Sequence, residues 1–431
     1  MHMSNITLSP DQQTALDTVL ATLKSDGEAI LAGAAGTGKT TVMAVVLSRW
    51  GGNVMFMAPT GKAAVRLTEQ VGRKASTIHS ALYGEAEEER VKGSRRDKLH
   101  FGEPTAPEGC GAGTLVVIDE ASMVNENLAR DVRNVILASG AALLWVGDHE
   151  QLPPVEGTWG VPLQRPTACL TQVHRQALES PVLDLATCIR ERRGQEFVRW
   201  GDDCSRTVVT SVQDAVDWSE QDASNRVLLT WTNSVRTKAN RMTRAARGLP
   251  RQDLVAGERI ICTYNNHGLG TMNGEVFAVR SVEVCEPLTQ ACGSRILWVT
   301  LDENRPTPRR VLVAVETFDA YRPGMSDRRI FQWAFNKVMD RREEANVMAA
   351  MRWSVEELRR WRNEVSTSAM QATYGYCLTV HKSQGSQFPA VGFISCPNFR
   401  SFEDADFKRR LTYTAITRAQ VTFRAFTLNV V

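Results

Sequence analysis

Residues 33–40 read Gly33-Ala34-Ala35-Gly36-Thr37-Gly38-Lys39-Thr40, directly after the short apolar run Ala29-Ile30-Leu31-Ala32. A strand ending in this pattern, with a helix-compatible stretch beginning at Lys39-Thr40-Thr41, is the setting of a phosphate-binding loop. Glycines let successive backbone N–H groups turn inward around phosphate oxygens, and the N-terminus of the next helix adds its dipole. Lys39 brings a positive charge to the outer phosphates, and the Thr40 hydroxyl can ligate magnesium. The run Gly33 to Thr41 is therefore the candidate nucleotide-binding element. Many unrelated proteins carry such a loop, so its use has to be read from the surroundings.

Upstream, Ser9-Pro10-Asp11-Gln12 reads as a helix start, with serine as cap, proline in the first turn and Gln12 completing a capping box. Ala15, Leu16, Val19, Leu20 and Leu23 then recur on one helical face. Downstream, strand-length apolar runs at 53–58, 114–118 and 142–146 each end in residues suited to chemistry: APTGKAA, DEAS and GDHEQLPP. In a doubly wound parallel sheet, ligands collect beyond the carboxyl ends of the strands. Four strands delivering such residues there define a first α/β domain over residues 1–176.

Asp119 can hold a metal shell, and Glu120 can orient or deprotonate an attacking water. An isolated Asp-Glu pair after a strand is equally the acid-rich start of a helix; the neighbouring P-loop favours the catalytic reading. Gln151 follows another strand and can sense a γ-phosphate. APTGKAA (with Pro59, Thr60 and Lys62) and Ser76-Thr77-Ile78-His79 place hydroxyls, a lysine and a histidine at strand ends. Such groups suit phosphodiester contacts, although a lone histidine is as readily a core residue.

The chain has 431 residues, too many for one core, so two to four domains are expected. With 43% apolar and 23% charged residues its composition is that of an ordinary globular protein. A net charge of +3 excludes a globally basic nucleic-acid binder, so any such surface must be a local stripe. The nine cysteines contain no CxxC pair. That spacing argues against a disulfide framework or zinc site and for free thiols in a reducing, cytosolic setting. The start MHMSNITLSP has neither a charged leader nor an apolar core, and no apolar run has membrane-spanning length, so no membrane partner is expected.

Residues 84–113 are polar and rich in glycine and proline toward their end, and by composition read as a solvated loop. A second α/β pattern begins near 181, with strands expected at 226–232, 373–380, 390–395 and 423–428. Between the first two of these, closely spaced runs from ERIICTY to RRVLVAVETF predict a small antiparallel barrel. A charge-rich helical stretch follows, with a capping box at Ser354-Val355-Glu356-Glu357. Thr379-Val380-His381-Lys382 echoes the hydroxyl and histidine cluster of the first half. Arg175 and Arg418 could reach transition-state charge if the two halves face each other.

In order, QQTAL, GAAGTGKT, APTGKAA, STIH, VIDEAS, GDHEQLPPV, LTQVHRQ, TVHKSQGSQF and YTAITRA resemble the motifs of superfamily 1 DNA helicases, in particular the RecD/Dda-like branch. The resemblance runs from Gln12 to Arg418. It implies two RecA-like domains with ATP and Mg2+ between them. Gln12 would read adenine, and Lys39 and Thr40 would bind phosphate and metal. Asp119 would hold the metal, Glu120 the water, and Gln151 would couple the γ-phosphate to DNA. Arg175 and Arg418 would act as arginine fingers. Pro59, Thr60, Lys62, Thr77, His79, Thr379 and His381 would line a single-strand track.

Residues 84–113 would then form a pin, with Phe101 as a wedge at the fork. Residues 177–245 and 366–431 would form the second RecA-like domain, interrupted at 246–365 by an SH3-like barrel (about 250–318) and a helical segment. Gly385 and Gln387 fall near the ribose; many members carry glutamate where this chain has Gln387, which leaves nucleotide strictness open. The implied partners are single-stranded and duplex or forked DNA, together with replication or recombination proteins. The implied state is a monomer travelling 5′ to 3′. Two other readings stand beside the helicase: a strand-stimulated translocase that displaces proteins or acts on RNA without unwinding, and a nucleotide-gated binding module with negligible turnover. A small-molecule kinase would use the P-loop half alone and leave the second half unexplained.

Overall fold

The computed structural model describes residues 7–84, 87–89, 98–100, 102–154, 157–173, 180–191, 204–209, 211–250, 253–264, 266, 269–271, 273–303, 307–318, 327–395 and 404–428. In chain order the first strands are β1 (Glu28–Gly33), β2 (Val54–Ala58), β3 (Ala75–Thr77), β4 (Glu87–Glu89), β5 (Lys98–His100), β6 (Leu115–Ile118), β7 (Ala142–Gly147) and β8 (Ala168–Leu170). Six of them form one sheet in the order β3-β2-β6-β7-β1-β8, with every pairing parallel. All its strands therefore point their carboxyl ends the same way, and the residues that follow β1, β2, β6 and β7 gather along one edge.

Strand side chains alternate between faces, and here both faces are dry. Leu31, Val117 and Leu144 belong to one core cluster, while their neighbours Ile30, Val116 and Leu143 belong to another. Burial on both sides explains why these strands read as unbroken apolar runs. Helix α1 (Pro10–Ser25) covers the first face with Leu16 and Val19, both fully buried. Each such side chain contributes about 1.5–3 kcal/mol relative to exposure. The expected capping box forms: the Ser9 hydroxyl accepts the Gln12 N–H at 3.3 Å, and Gln12 Oε1 accepts the Ser9 N–H at 3.1 Å. Helices α2 (Lys39–Trp50), α3 (Gly61–Val71), α4 (Ile78–Tyr83) and α5 (Glu126–Ala138) complete the alternation. Within the 84–113 interval, β4 and β5 pair antiparallel as a short hairpin.

The second half contains β9 (Cys204–Val209), β10 (Arg226–Thr230), β11 (Arg259–Cys262), β12 (Val276–Val284), β13 (Ile296–Asp302), β14 (Arg310–Ala314), β15 (Ala372–Tyr374), β16 (Cys377–Thr379), β17 (Phe388–Ser395) and β18 (Ala419–Leu428). One sheet runs β16-β10-β17-β18-β9, with β10 parallel to both β16 and β17. The other runs β14-β13-β12-β11-β15, with every pairing antiparallel. It closes on itself: Ala369 bridges Leu312 of β14, and the Met370 N–H donates to the Leu312 carbonyl at 2.8 Å. The expected small barrel is thus present, completed by a strand that lies past the helical stretch.

One expectation is corrected. The run 373–380 is not a single strand: Ala372–Tyr374 pairs in the barrel and Cys377–Thr379 in the parallel sheet, with Gly375-Tyr376 between them. Continuous apolar character hid the change of sheet, because both halves are buried. The helices Asp327–Met339, Glu344–Met351 and Val355–Ser368 pack through Phe335, Val338, Val347, Leu358 and Val365 against the helix Glu286–Cys292 and the barrel residue Leu312.

Two compact units result. The first comprises Met1–Ser205, Gln384–Pro389 and Phe402–Phe423, and the second Arg206–Ser383, Ala390–Ser401 and Arg424–Val431. Two stretches remote in sequence are thereby built into the unit that carries the P-loop.

Candidate functional site

A cleft of about 810 Å³ opens at the carboxyl edge of the six-stranded sheet, entirely within the first compact unit. The P-loop forms part of its wall. Gly36 and Gly38 have φ of 80° and 84°, a region open to glycine at little cost. Gly38 is the N-cap of α2 and makes no side-chain cap bond, so the helix N-terminus faces the cleft uncapped by protein. Gly33 is fixed by space: a Cβ there would meet Thr37 Oγ1 at 2.6 Å. Lys39 folds back onto its own loop, donating to the carbonyls of Gly33 at 2.7 Å and Ala34 at 3.0 Å.

Gln12 lines the same cleft and is 3% exposed. Besides capping α1, its Nε2 donates to the Thr37 carbonyl at 3.3 Å, tying α1 to the P-loop. Thr40 and Thr41 line the cleft from α2, and Asp119 and Glu120 from the end of β6. The Asp119 carboxylate accepts the Glu120 N–H at 2.8 Å. Burial and the Glu120 charge push its pKa up to about 6, against the pull of that N–H, Lys39 and Arg66. Glu120 is held at φ 53°, ψ 39°, a left-handed conformation that L-residues other than glycine rarely adopt. Strain of this kind persists where the surroundings force it, and it gathers at working sites.

Gln151 is 6% exposed, and its Oε1 is buried with no hydrogen-bond partner among the described residues. A buried amide oxygen left unmatched costs about 1–3 kcal/mol, which marks this as an acceptor set for something that binds. Arg418, 3% exposed, lies just past the helix Ala405–Ile416. It donates to the Thr414 carbonyl at 3.2 Å, the Ser386 carbonyl at 3.3 Å and Thr417 Oγ1 at 3.2 Å. Burial pulls its pKa down, while the charges of Glu120 and Asp148 oppose that. Gly385 and Gln387 also line the cleft. Gly385 has φ +72° and sits where a Cβ would be 3.2 Å from that of Ala63, so the backbone can approach α3 only without a side chain.

Arg175 and Phe101 lie outside the described residues. The residues expected on a strand track divide. Thr60 and Thr77 are N-caps whose hydroxyls accept the N–H groups of Ala63 at 3.2 Å and Ser80 at 3.1 Å. Pro59 precedes Thr60 at the end of β2. Lys62 sits 5.3 Å above the Phe388 ring, and His79 stacks on Tyr83 at 5.7 Å. Thr379 and His381 belong to the second unit. Thr379 is buried at the end of β16, and burial lowers the His381 pKa.

Sequence reasoning missed Arg66, Tyr413 and the pair Arg409–Arg410. Arg66 lines the cleft with Ala63, Leu67 and Gln70. Their i, i+3, i+4, i+7 spacing along α3 is a legible signal that one helical face looks into the site. Arg409 pairs with Glu150, and Arg410 donates to the carbonyls of His149 and Gln151, so the helix Ala405–Ile416 grips the turn that carries Gln151.

These features define a P-loop nucleotide site in a RecA-like α/β fold. A family model described as an AAA domain matches residues 7–211, and one described as a UvrD-like helicase C-terminal domain matches residues 374–422. The chain is 37% identical over 204 residues to the ATP-dependent RecD2 DNA helicase of Deinococcus radiodurans, covering 45% of this chain and 25% of that protein. It is 26% identical over 277 residues to the ATP-dependent DNA helicase dda of Enterobacteria phage T4, covering 59% of this chain and 60% of that one. The chain thus spans between a quarter and three fifths of these relatives. The crystal structure of Bacteroides Pif1 bound to ssDNA shares the fold, with a TM-score of 0.50 at 16% identity over 98% of this chain and 92% of that one. In motif order and sequence the chain is similar to the RecD2 and Dda helicases over these parts, and in fold it is similar to Pif1.

Proposed function

We propose that this chain is an ATP-dependent DNA helicase that moves 5′ to 3′ along single-stranded DNA and separates duplex ahead of it. The observation that carries the reading is the presence of Arg418 in the cleft that also holds Lys39, Thr40, Asp119, Glu120 and Gln151. In this reading the Lys39 ammonium leaves the Gly33 and Ala34 carbonyls for the outer phosphates, and α2 turns its open N–H groups to them. Glu120 orients and deprotonates the attacking water, Gln151 accepts from that water through its unmatched Oε1, and Arg418 meets the charge that develops on the γ-phosphate. Arg175 is assigned the same role as Arg418, from the opposite half of the motif set.

Thr40 and Asp119 would hold Mg2+. They are hard oxygen donors, and burial, with the Glu120 charge second, raises the Asp119 pKa, so a bound cation would favour its ionised form. The ion supplies charge neutralisation on the transferring phosphoryl group.

Residues 1–176 are assigned as the first RecA-like domain with a pin at 84–113, residues 177–245 and 366–431 as the second, and 246–365 as the inserted barrel and helices. Pro59, Thr60, Lys62, Thr77, His79, Thr379 and His381 are assigned to the strand track and Phe101 to the wedge. The Thr60 and Thr77 hydroxyls already accept the N–H groups of Ala63 and Ser80 as helix caps, so a role on the track would require them to serve phosphate as well. Strand separation on duplexes carrying only a 5′ or only a 3′ tail tests the proposal. Unwinding from the 5′ tail alone supports it. Unwinding from the 3′ tail reverses the polarity, and strand-stimulated hydrolysis without unwinding leaves a translocase.

A further inference from the structure

The Tyr413 hydroxyl joins parts of the site that are far apart in sequence. It accepts the Ala35 N–H at 2.9 Å and donates to Asp148 Oδ2 at 2.7 Å. Tyr413 and Asp148 are each 1% exposed. A carboxylate only accepts, so the bond to Asp148 commits the hydroxyl's single hydrogen and leaves just a lone pair toward Ala35. Burial, reinforced by the Asp148 charge, holds the phenol well above its ordinary pKa, and it stays protonated.

Asp148 Oδ1 accepts the Glu150 N–H at 2.9 Å, so this carboxylate anchors the turn that bears Gln151. The helix of Tyr413 grips the same turn, with Thr414 Oγ1 accepting the Leu152 N–H at 3.1 Å, and leads directly into Arg418. One hydroxyl therefore ties the P-loop to both groups assigned to the γ-phosphate.

Ala35 has one N–H, and the residue itself lines the nucleotide cleft. A phosphate oxygen and the Tyr413 hydroxyl are rival acceptors for it. We propose that Tyr413 is a positioning residue that reports occupation of the P-loop: phosphate takes the Ala35 N–H, and the tie from the loop to the Gln151 turn and the Arg418 helix is released. The inference rests on the ATP reading of the cleft.

Tyr413→Phe keeps the ring and removes the competing acceptor. The variant is expected to bind ATP more tightly, with KM lowered several-fold, because Ala35 has no internal bond to give up. Its strand-stimulated kcat should not fall, because the tie that occupation would release is already absent. A purely structural tyrosine would lower Tm and kcat while leaving KM unchanged or higher, and that result overturns the proposal. Should the variant fail to fold, hydrogen exchange of the wild-type segment 405–416 decides: faster exchange with a non-hydrolysable ATP analogue than without supports release, and unchanged or slower exchange refutes it. Wild-type protein that neither binds nor hydrolyses ATP would sink the ATP reading itself, which keeps the two failures distinct.

Discussion

Two buried polar clusters in this molecule are built on opposite terms. In the second unit, Glu258 spends its acceptor capacity internally: it accepts Arg244 at 2.7 and 3.1 Å, the Tyr376 hydroxyl at 3.1 Å and the Val255 N–H at 2.9 Å. Arg244 lies 4.2 Å from the Tyr374 ring centroid. In the nucleotide cleft, Gln151 Oε1 is buried without a partner among the described residues. Glu120 holds a strained backbone beside an acid whose pKa is raised. The first cluster stabilises the fold and the second draws on it. A cluster closed on itself can only hold; one left open can bind.

The contrast can be broken from either side. The largest effect is expected at the open cluster: Lys39→Ala or Glu120→Gln should cut ATP turnover by at least about 100-fold while leaving the thermal transition where it was. A matching loss of Tm would mean these groups hold the fold instead. Next in size, Glu258→Ala leaves Arg244 buried without its counter-charge. It should cost about 3–5 kcal/mol in denaturant unfolding, with ATP KM unaffected. A cost below about 1 kcal/mol would remove the closed cluster as a stabilising element.

Glu150, in the turn before Gln151, sharpens the boundary between the two kinds. Burial raises its pKa, but hydrogen bonds from His149 and Arg409 outweigh that and hold it at about 2. Its folded-state pKa is therefore depressed, so its stabilisation is present above the ordinary glutamate range and is lost as pH falls toward 2. Glu150→Gln should cost about 1–3 kcal/mol at neutral pH, and the gap from wild type should narrow at pH values near 3. A gap independent of pH would show that the ion pair does not carry the effect. Smallest is a gain: Asp119 has a raised pKa, so its ionised form costs stability above about 6. Asp119→Asn should raise metal-free stability at neutral pH by about 1–2 kcal/mol while abolishing magnesium-dependent turnover. A variant less stable than wild type without metal would contradict the cost assigned to the ionised form of this acid.

Much of the open cluster was legible because its chemistry is local. The P-loop spacing, the acid pair after β6 and Gln151 after β7 each sit at a strand end, and strand ends announce themselves through apolar runs. Gln12 was legible as a cap, while its bond to the Thr37 carbonyl depends on how α1 packs against the loop and leaves no sequence mark. Tyr413 was hidden for the same reason, since its partners are 265 and 378 positions away along the chain. The closed cluster was illegible altogether: Arg244 and Glu258 look like ordinary surface charges until β15 and β16 bring Tyr374 and Tyr376 beside them. That same crossing between sheets was obscured by an apolar run that satisfies both.

The central claim is that the open cluster hydrolyses ATP under control of a bound strand. Phosphate release by the wild-type chain with magnesium, measured with and without single-stranded DNA and repeated for Arg418→Ala, tests it directly. Turnover that rises at least about tenfold with DNA in the wild type, and stays near the unstimulated level in Arg418→Ala, is the predicted result. Turnover indifferent to DNA, or fully stimulated without Arg418, would contradict it.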